Sequence, residues 1–402
     1  MEIPLIKDIE HVQIAGGPHL ACHWPRSGGI WRWGDELLVG FVEAECDYTH
    51  LSLVDHSPQN FGSRSYQRLR RSLDGGKTWA DGAKLMPHDL PVEEQRKILH
   101  MDDYQKESVW DFRSPARQDI DMTSDDAMLI MGRAYCGTQR KKPDGSTLCD
   151  QVAYCYRSAD RGRTLEIVPG IVWPHYTRVA VEWASNYMVL DSGRLLCWMT
   201  GYGDPAGDKV AWPRRYCNQL FASDDNGANW DFHSEIYANE TRLAASYPHV
   251  VVLPSGRWMC CLGMWFQCNE GVRTRFTSIC YSDDKGMNWT EPRQIHSWST
   301  SPYPLVTDDG RVVIIYMRRA PSPTGMYAIV SGDEGQTWSD SFCLNDDTPD
   351  AQPLGFTDGG YPVAIEMEDG RILAAYYWQH DDPDIAWHGG RRVIMGTFFR
   401  VD

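Results

Sequence analysis

The chain has no run of 18 or more apolar residues among its 402, which excludes an ordinary membrane-spanning helix. Its first residues, MEIPLIKDIEHVQIAGG, lack a basic stretch followed by an apolar core and a cleavage site, so the expected location is cytoplasmic. Twelve cysteines are present, yet no pair is spaced CxxC. Zinc clusters and thioredoxin-like redox sites are therefore not expected, and the scattered cysteines read as buried free thiols in a reducing compartment. Basic residues are in short supply, 39 Lys and Arg against 55 Asp and Glu, for a net charge of −16. Nucleic acid and anionic membranes are poor partners for such a chain. The acidic string HDDPD at 380–384 reads as a solvated loop rather than a calcium site, so neither metal nor cofactor is expected. No segment shows a long helical period. The stretch 91–106 is the best place for a helical or irregular insertion.

What is abundant is aromatic and turn-forming: 17 Trp and 19 Tyr with 35 Gly and 23 Pro. Two motifs repeat. The first is SLDGGKTW at 72–79, SADRGRTL at 158–165, SDDNGANW at 223–230, SDDKGMNW at 282–289 and SGDEGQTW at 331–338. Ser and Asp can bond backbone N–H groups of one tight turn, Gly can take a positive φ, and Trp can anchor the returning strand. Leu165 replaces Trp in the second copy. The second motif is a turn followed by an apolar strand: GDELLVGFVE, DDAMLIMGRAY, SGRLLCWMTGY, SGRWMCCLGMW, DGRVVIIYMRR and DGRILAAYYWQ. These six runs are β-branched or aromatic and bounded by Gly, Pro and Asp. Six units of roughly four strands predict an all-β, six-bladed propeller occupying residues 1–402 as one domain. Pairing of EHVQIAG with RRVIMGTFFRV would close the ring in the last blade.

The five Ser-Asp turns resemble the Asp boxes of the sialidase (BNR-repeat) superfamily of six-bladed propellers. The resemblance covers almost the whole chain. It implies a structural, rim-side role for the boxes and a site at the central mouth, where inner strands begin. Sialidases clamp a carboxylate with three arginines and use a Tyr nucleophile paired with Glu, together with an Asp acid/base. By resemblance, HWPRSGGIWRWGDELLVGF points to Arg26 as a clamp residue and GGYPVAIEMEDGRILAAYY points to Tyr361 as the tyrosine. The position of the next arginine carries Glu45, the position of the glutamate carries Tyr247, and GMWFQ has no arginine where another clamp residue belongs.

Counting back along each inner strand adds Arg117, Glu182, Ser301 and Tyr303 to the expected mouth. The loops after the second strands add His50, Trp265, Arg318, Arg319, Trp378 and His380. In the resulting scheme Tyr361, His50 and Glu182 are catalytic candidates. Arg26, Arg117, Arg318, Tyr247, Trp265 and His380 are substrate-binding candidates. Arginine suits carboxylates because its planar fork bonds both oxygens, and histidine suits proton transfer near neutral pH. The chemistry implied is an exo-acting glycoside hydrolase that removes a terminal, possibly acidic, sugar. Two alternatives stay open: a polysaccharide lyase in which Arg neutralises a uronate and Tyr or His moves the proton, and a non-catalytic propeller that stacks sugars on Trp265, Trp378 and Trp387.

Overall fold

The structure, a computed structural model, describes residues 6–48, 65–87, 90–100, 105–106, 112–113, 117–134, 139–141, 147–149, 152–173, 175, 179–182, 187–202, 215–267, 275–319, 322–347, 358–380 and 390–402. Six antiparallel sheets form the blades of a propeller, most of them four-stranded. In blade four, Leu243–Val252, Trp258–Phe266, Arg275–Ser282 and Arg293–Ser297 run from the axis outward. Blade five repeats this with Thr300–Val306, Val312–Arg318, Gly325–Ser331 and Phe342–Asn345. The inner strands of blades one and three are each broken in two: Leu20–His23 and Ile30–Trp33 both pair with Glu36–Glu45, and Val179–Glu182 and Tyr187–Val189 both pair with Leu195–Tyr202. Blade two contributes Met128–Ala134, Val152–Ser158 and Gly170–Val172 among the described residues. The insertion after blade one carries a helix, Val92–Ile98.

Strand Ile6–Ala15 pairs antiparallel with Arg391–Val401, so the chain's start forms the outer edge of the blade built from its end. The pairing covers the strand edge that Arg391–Val401 would otherwise present.

The Ser-Asp turns lie between the third and fourth strands of blades one and three to five, and after Val152–Ser158 in blade two. Each builds the same Ser-Asp-Gly bonds, and all but the blade-two copy add an indole bond. In blade four the Ser282 hydroxyl donates to Asp284 and accepts from the Gly286 N–H, Asp284 accepts from the N–H and side-chain amide of Asn288, and Trp289 donates to the Gly286 carbonyl at 3.1 Å. Gly286 sits at φ 81°, where a Cβ would meet Leu220 of the neighbouring blade at 2.7 Å. Glycine is required both by the turn and by the seam. In blade two Leu165 packs against the cluster of Leu38, Met128, Ile130 and Tyr154, replacing the tryptophan anchor with apolar contact alone.

The core lies in the seams. Trp198, Leu196 and Leu220 of blade three pack on Val250, Trp258 and Cys260 of blade four. Tyr316, Ile314 and Ile329 of blade five pack on Met259, Cys261 and Ile279. Each fully buried side chain of this size contributes about 1.5–3 kcal/mol. Of the nine cysteines whose side chains are described, eight are buried free thiols and Cys343 is exposed.

Candidate active site

Four inner strands open on the same irregular step. Trp24, Tyr247, Ser301 and Tyr361 each precede a proline, and each has a left-handed backbone, with φ of 54°, 59°, 51° and 52°. Proline cannot donate to the ladder, and the pairing register slips between Ser246 and His249, between Thr300 and Tyr303, and between Gly360 and Val363. A positive φ is costly for residues with a Cβ, by roughly 1–3 kcal/mol, and such strain concentrates at functional sites. Here it re-aims the side chains of Tyr247 and Tyr361 so that they meet at the axis.

The two hydroxyls are 3.3 Å apart and the rings stand edge to face. The Arg319 guanidinium lies over the Tyr361 ring, 5.1 Å from its centre, and is held there by the Gly359 carbonyl at 2.7 and 3.0 Å and the Tyr377 hydroxyl at 3.1 Å. Tyr377 stacks on Tyr361 and donates to Asp358, a carboxylate 1% exposed. Arg392 lies 3.4 Å from the same carboxylate, and Arg319 lies 3.9 Å from it. The His23 ring packs on Tyr377, and the Trp24 ring reaches Tyr361. Arg275 covers the ring of Trp265 at 5.3 Å.

Burial, reinforced by Tyr247, pushes the Tyr361 hydroxyl well above its ordinary range, while Arg319 and Arg275 pull it back. Tyr377 is likewise raised by burial and by Asp358. Burial works against the charge of Arg319, but Tyr377, Tyr361 and Asp358 together hold it protonated. The cluster therefore presents protonated phenols beside fixed positive charge, inside a chain that is acidic overall.

Arg26 stands beneath this layer. The short turn Pro25–Ser27 carries it, and Gly28 packs backbone to backbone on Gly40, where a Cβ would overlap the Gly40 carbonyl carbon at 1.9 Å. Arg26 is 1% exposed. It donates to the carbonyls of Pro302 at 2.6 Å and Tyr247 at 2.8 Å and lies between the rings of Tyr247 and Tyr303. It therefore ties blade one to blades four and five and forms the floor of the site. The residue that occupies the repeat position of Tyr361 in blade one is Trp24, two residues earlier.

The remaining expectations divide. Arg117 is away from the mouth: it pairs with buried Glu166 and donates to the carbonyls of Gly227 and Ala228 in the Ser-Asp turn of blade three. It serves the outer seam between blades two and three, because residues 117–127 run beside the sheet without joining it. Arg318 lies on the other face of its strand from Arg319, with Tyr316, and its charge helps burial to depress His296 of blade four. A strand alternates faces, so the neighbouring arginine is the one at the axis. Trp265 is 5% exposed, enclosed by Tyr216 and Arg275, and Trp378 is fully buried with its indole N–H on Asp347. Neither offers an open face for a sugar. His380 ends its strand on the face of Tyr376 and Trp378, opposite Tyr377. Glu182 ends the first inner segment of blade three, paired with Thr200, and its side chain lies outside the described residues, as do His50 and Trp387.

Arg275, Tyr377, Asp358 and His23 were not singled out from the sequence. Two signals were available in the pairing. Arg275 is the register partner of Trp265 and brings a cation to the strand end that lacks one, and Tyr377 is the register partner of Gly360, beside Tyr361.

Residues 180–392, just over half of the chain, match the BNR repeat-like domain. The chain belongs to the BNR repeat-like family. Over 171 residues, 38% of the chain, it is 21% identical to a sialidase from Paraclostridium sordellii, and the match spans 41% of that sialidase's length. Among solved structures it is similar to a protein of unknown function from Dyadobacter fermentans, at TM-score 0.67 and 18% identity over 99% of both chains. It is also similar to an α-L-arabinanase from Penicillium chrysogenum in complex with arabinobiose, at TM-score 0.56 and 13% identity over 98% of both chains. The family match and these likenesses establish a sialidase-like, BNR-repeat propeller fold.

Proposed function

We propose that this member of the family is an exo-acting glycoside hydrolase that removes a terminal, possibly acidic, sugar at the axial mouth. The observation that carries the reading is the Tyr247–Tyr361 pair, held on strained backbone with Arg319 over one ring. A phenol kept protonated by burial can donate a proton to a leaving oxygen, and a tyrosine in contact with guanidinium can also attack a carbon that carries a carboxylate. Arg319 and Arg275 supply the positive charge that an anionic sugar needs. Asp358 and Tyr377 hold Arg319 in place, since the carboxylate and hydroxyl both face the guanidinium. Likeness to a sialidase and to an arabinanase supports a carbohydrate substrate.

The test is a panel of sialosides, arabino-oligosaccharides and uronate-bearing glycans incubated with the protein. Released monosaccharide without new ultraviolet absorbance supports the reading. An ultraviolet-absorbing unsaturated product would replace it with elimination, and binding without any turnover would replace it with a lectin role.

A further inference from the structure

Asp358 reaches the axial tyrosine pair through two intermediaries. It stands just before the inner strand Gly360–Glu366 of blade six and is 1% exposed. One carboxylate oxygen, Oδ1, accepts the Tyr377 proton and lies 3.9 Å from Nη2 of Arg319. The other, Oδ2, lies 3.4 Å from Nε of Arg392, which is fully buried on the third strand of the same blade.

A phenol hydroxyl has one proton to give and lone pairs to accept with. At Tyr377 the proton is committed to Asp358, so the lone pairs face Arg319, whose Nη2 donates to them at 3.1 Å. The Gly359 carbonyl also holds Arg319, but a single acceptor atom is a pivot. The Tyr377 oxygen is a second point. Together with the arginine's own stem it fixes how the planar guanidinium lies over the Tyr361 ring.

Tyr361 is faced by Tyr247 and Arg275 of blade four, Arg319 at the end of a blade-five strand, Tyr377 of blade six and the Trp24 ring of blade one. His23 packs on the far partner, Tyr377. Burial and Tyr247 raise the Tyr361 hydroxyl, and Arg319 and Arg275 lower it. The placing of Arg319 therefore matters to this phenol.

We propose that Asp358 is a positioning residue for the axial tyrosine: by fixing the direction of the Tyr377 hydroxyl it keeps Arg319 over Tyr361, and so sets the pH at which that phenol gives or takes a proton. The inference rests on the proposed function in one respect, that Tyr361 is the reacting phenol.

The sign of one shift separates positioning from plain electrostatics. Asp358→Asn removes a negative charge, which by itself favours the phenolate and would move Tyr361 downward. A single amide oxygen cannot serve both Arg392 and Tyr377. With that oxygen on Arg392, the amide NH2 faces Tyr377 and takes the lone pairs that held Arg319. Release of Arg319 takes a positive charge from the ring and moves Tyr361 upward.

The test places a difluorotyrosine at position 361, with its fluorines beside the hydroxyl. Such a ring ionises at lower pH than tyrosine and reports its own ionisation by fluorine NMR, without substrate. Asp358→Asn and Tyr377→Phe should each move that titration upward by about one pH unit, the low end of what a neighbouring opposite charge supplies. Neither should move it upward in an Arg319→Gln background. If Asp358→Asn does not fold, Tyr377→Phe decides alone, since its ring keeps the stack on Tyr361. An unmoved or downward titration in either folded variant, or an upward one that persists in Arg319→Gln, would overturn the proposal. The titration needs no turnover, so its failure is distinct from a glycan panel that yields no product.

Discussion

The hydroxyl of Tyr247 lies 3.3 Å from that of Tyr361, across 114 positions of sequence and two blades of the propeller. Both residues precede proline, both have a positive φ, and neither would reach the other from a regular strand. The pair therefore exists because two distant strands begin with the same backbone irregularity.

Tyr361→Phe removes one hydroxyl and little else. Turnover of a cleaved glycan should fall by about 10²–10⁴-fold, the usual size of a lost acid or base. Thermal unfolding should change little, because the ring keeps its contacts with Trp24 and Tyr377. Steady-state kinetics beside a melting curve checks both, and undiminished kcat would remove Tyr361 from the chemistry.

Arg319 lowers the pKa of Tyr361 against burial and Tyr247, which raise it. Arg319→Gln takes away that charge, so the tyrosine should ionise at still higher pH. Whether turnover needs the phenol or the phenolate, the pH limb governed by Tyr361 should move upward. A pH profile of kcat measures this, and an unmoved limb would uncouple the two residues.

Arg26 is a structural tie by its geometry. Arg26→Met leaves the carbonyls of Pro302 and Tyr247 without their donor inside the core. Stability should fall by about 2–4 kcal/mol. Denaturant unfolding reads the loss, and a change of less than about 0.5 kcal/mol would rule out the role, since that is the ordinary effect of a neutral surface substitution.

Glu166 accepts from Arg157 and Arg117 in a buried cluster. Glu166→Ala strands two guanidiniums between blades two and three, and should cost about 3–5 kcal/mol. Arg117→Ala should destabilise less, because Arg157 still pairs with the carboxylate. Comparing the two midpoints in denaturant separates a seam role for Arg117 from a ligand role.

Acid should unfold the rim first. Bonds from Thr78 and Ser72 hold Asp74 down to about 2, and Asn288 and Ser282 hold Asp284 there too. Burial opposes the charge of Glu36, but Arg161, Arg163 and Arg71 outweigh it and lower its pKa. A depressed carboxylate contributes its stability in full above the unfolded-state value, near 3.8 for these Asp residues, and loses it as pH falls through the folded value. Melting temperature should therefore drop between about pH 4 and about pH 2, and Asp284→Asn should flatten that slope.

The blades and their number were legible because they rest on local chemistry repeated along the chain. Ser282, Asp284, Gly286 and Trp289 bond to one another within eight residues, so the turn can be read without its neighbours. Tyr361 could be placed at the axis because its Gly-Gly-Tyr-Pro context marks the start of an inner strand. The sequence reading preferred Arg318 to Arg319, and a slip of one residue exchanges the faces of a strand. Arg117 failed for a related reason: blade two has no regular inner strand among the described residues from which to count.

The sequence alone determined a repeating all-β chain, the chemistry of its turns and the strand on which the axial tyrosine sits. Tertiary structure alone decided that Tyr247 meets Tyr361, that Arg319 rather than Arg318 covers the pair, and that Arg26 lies beneath as a floor. Turn bonds act over a few residues and leave a pattern in the sequence. Contacts at the axis join blades far apart in the chain, and they depend on bulges and left-handed residues whose directions appear only when the ring is closed.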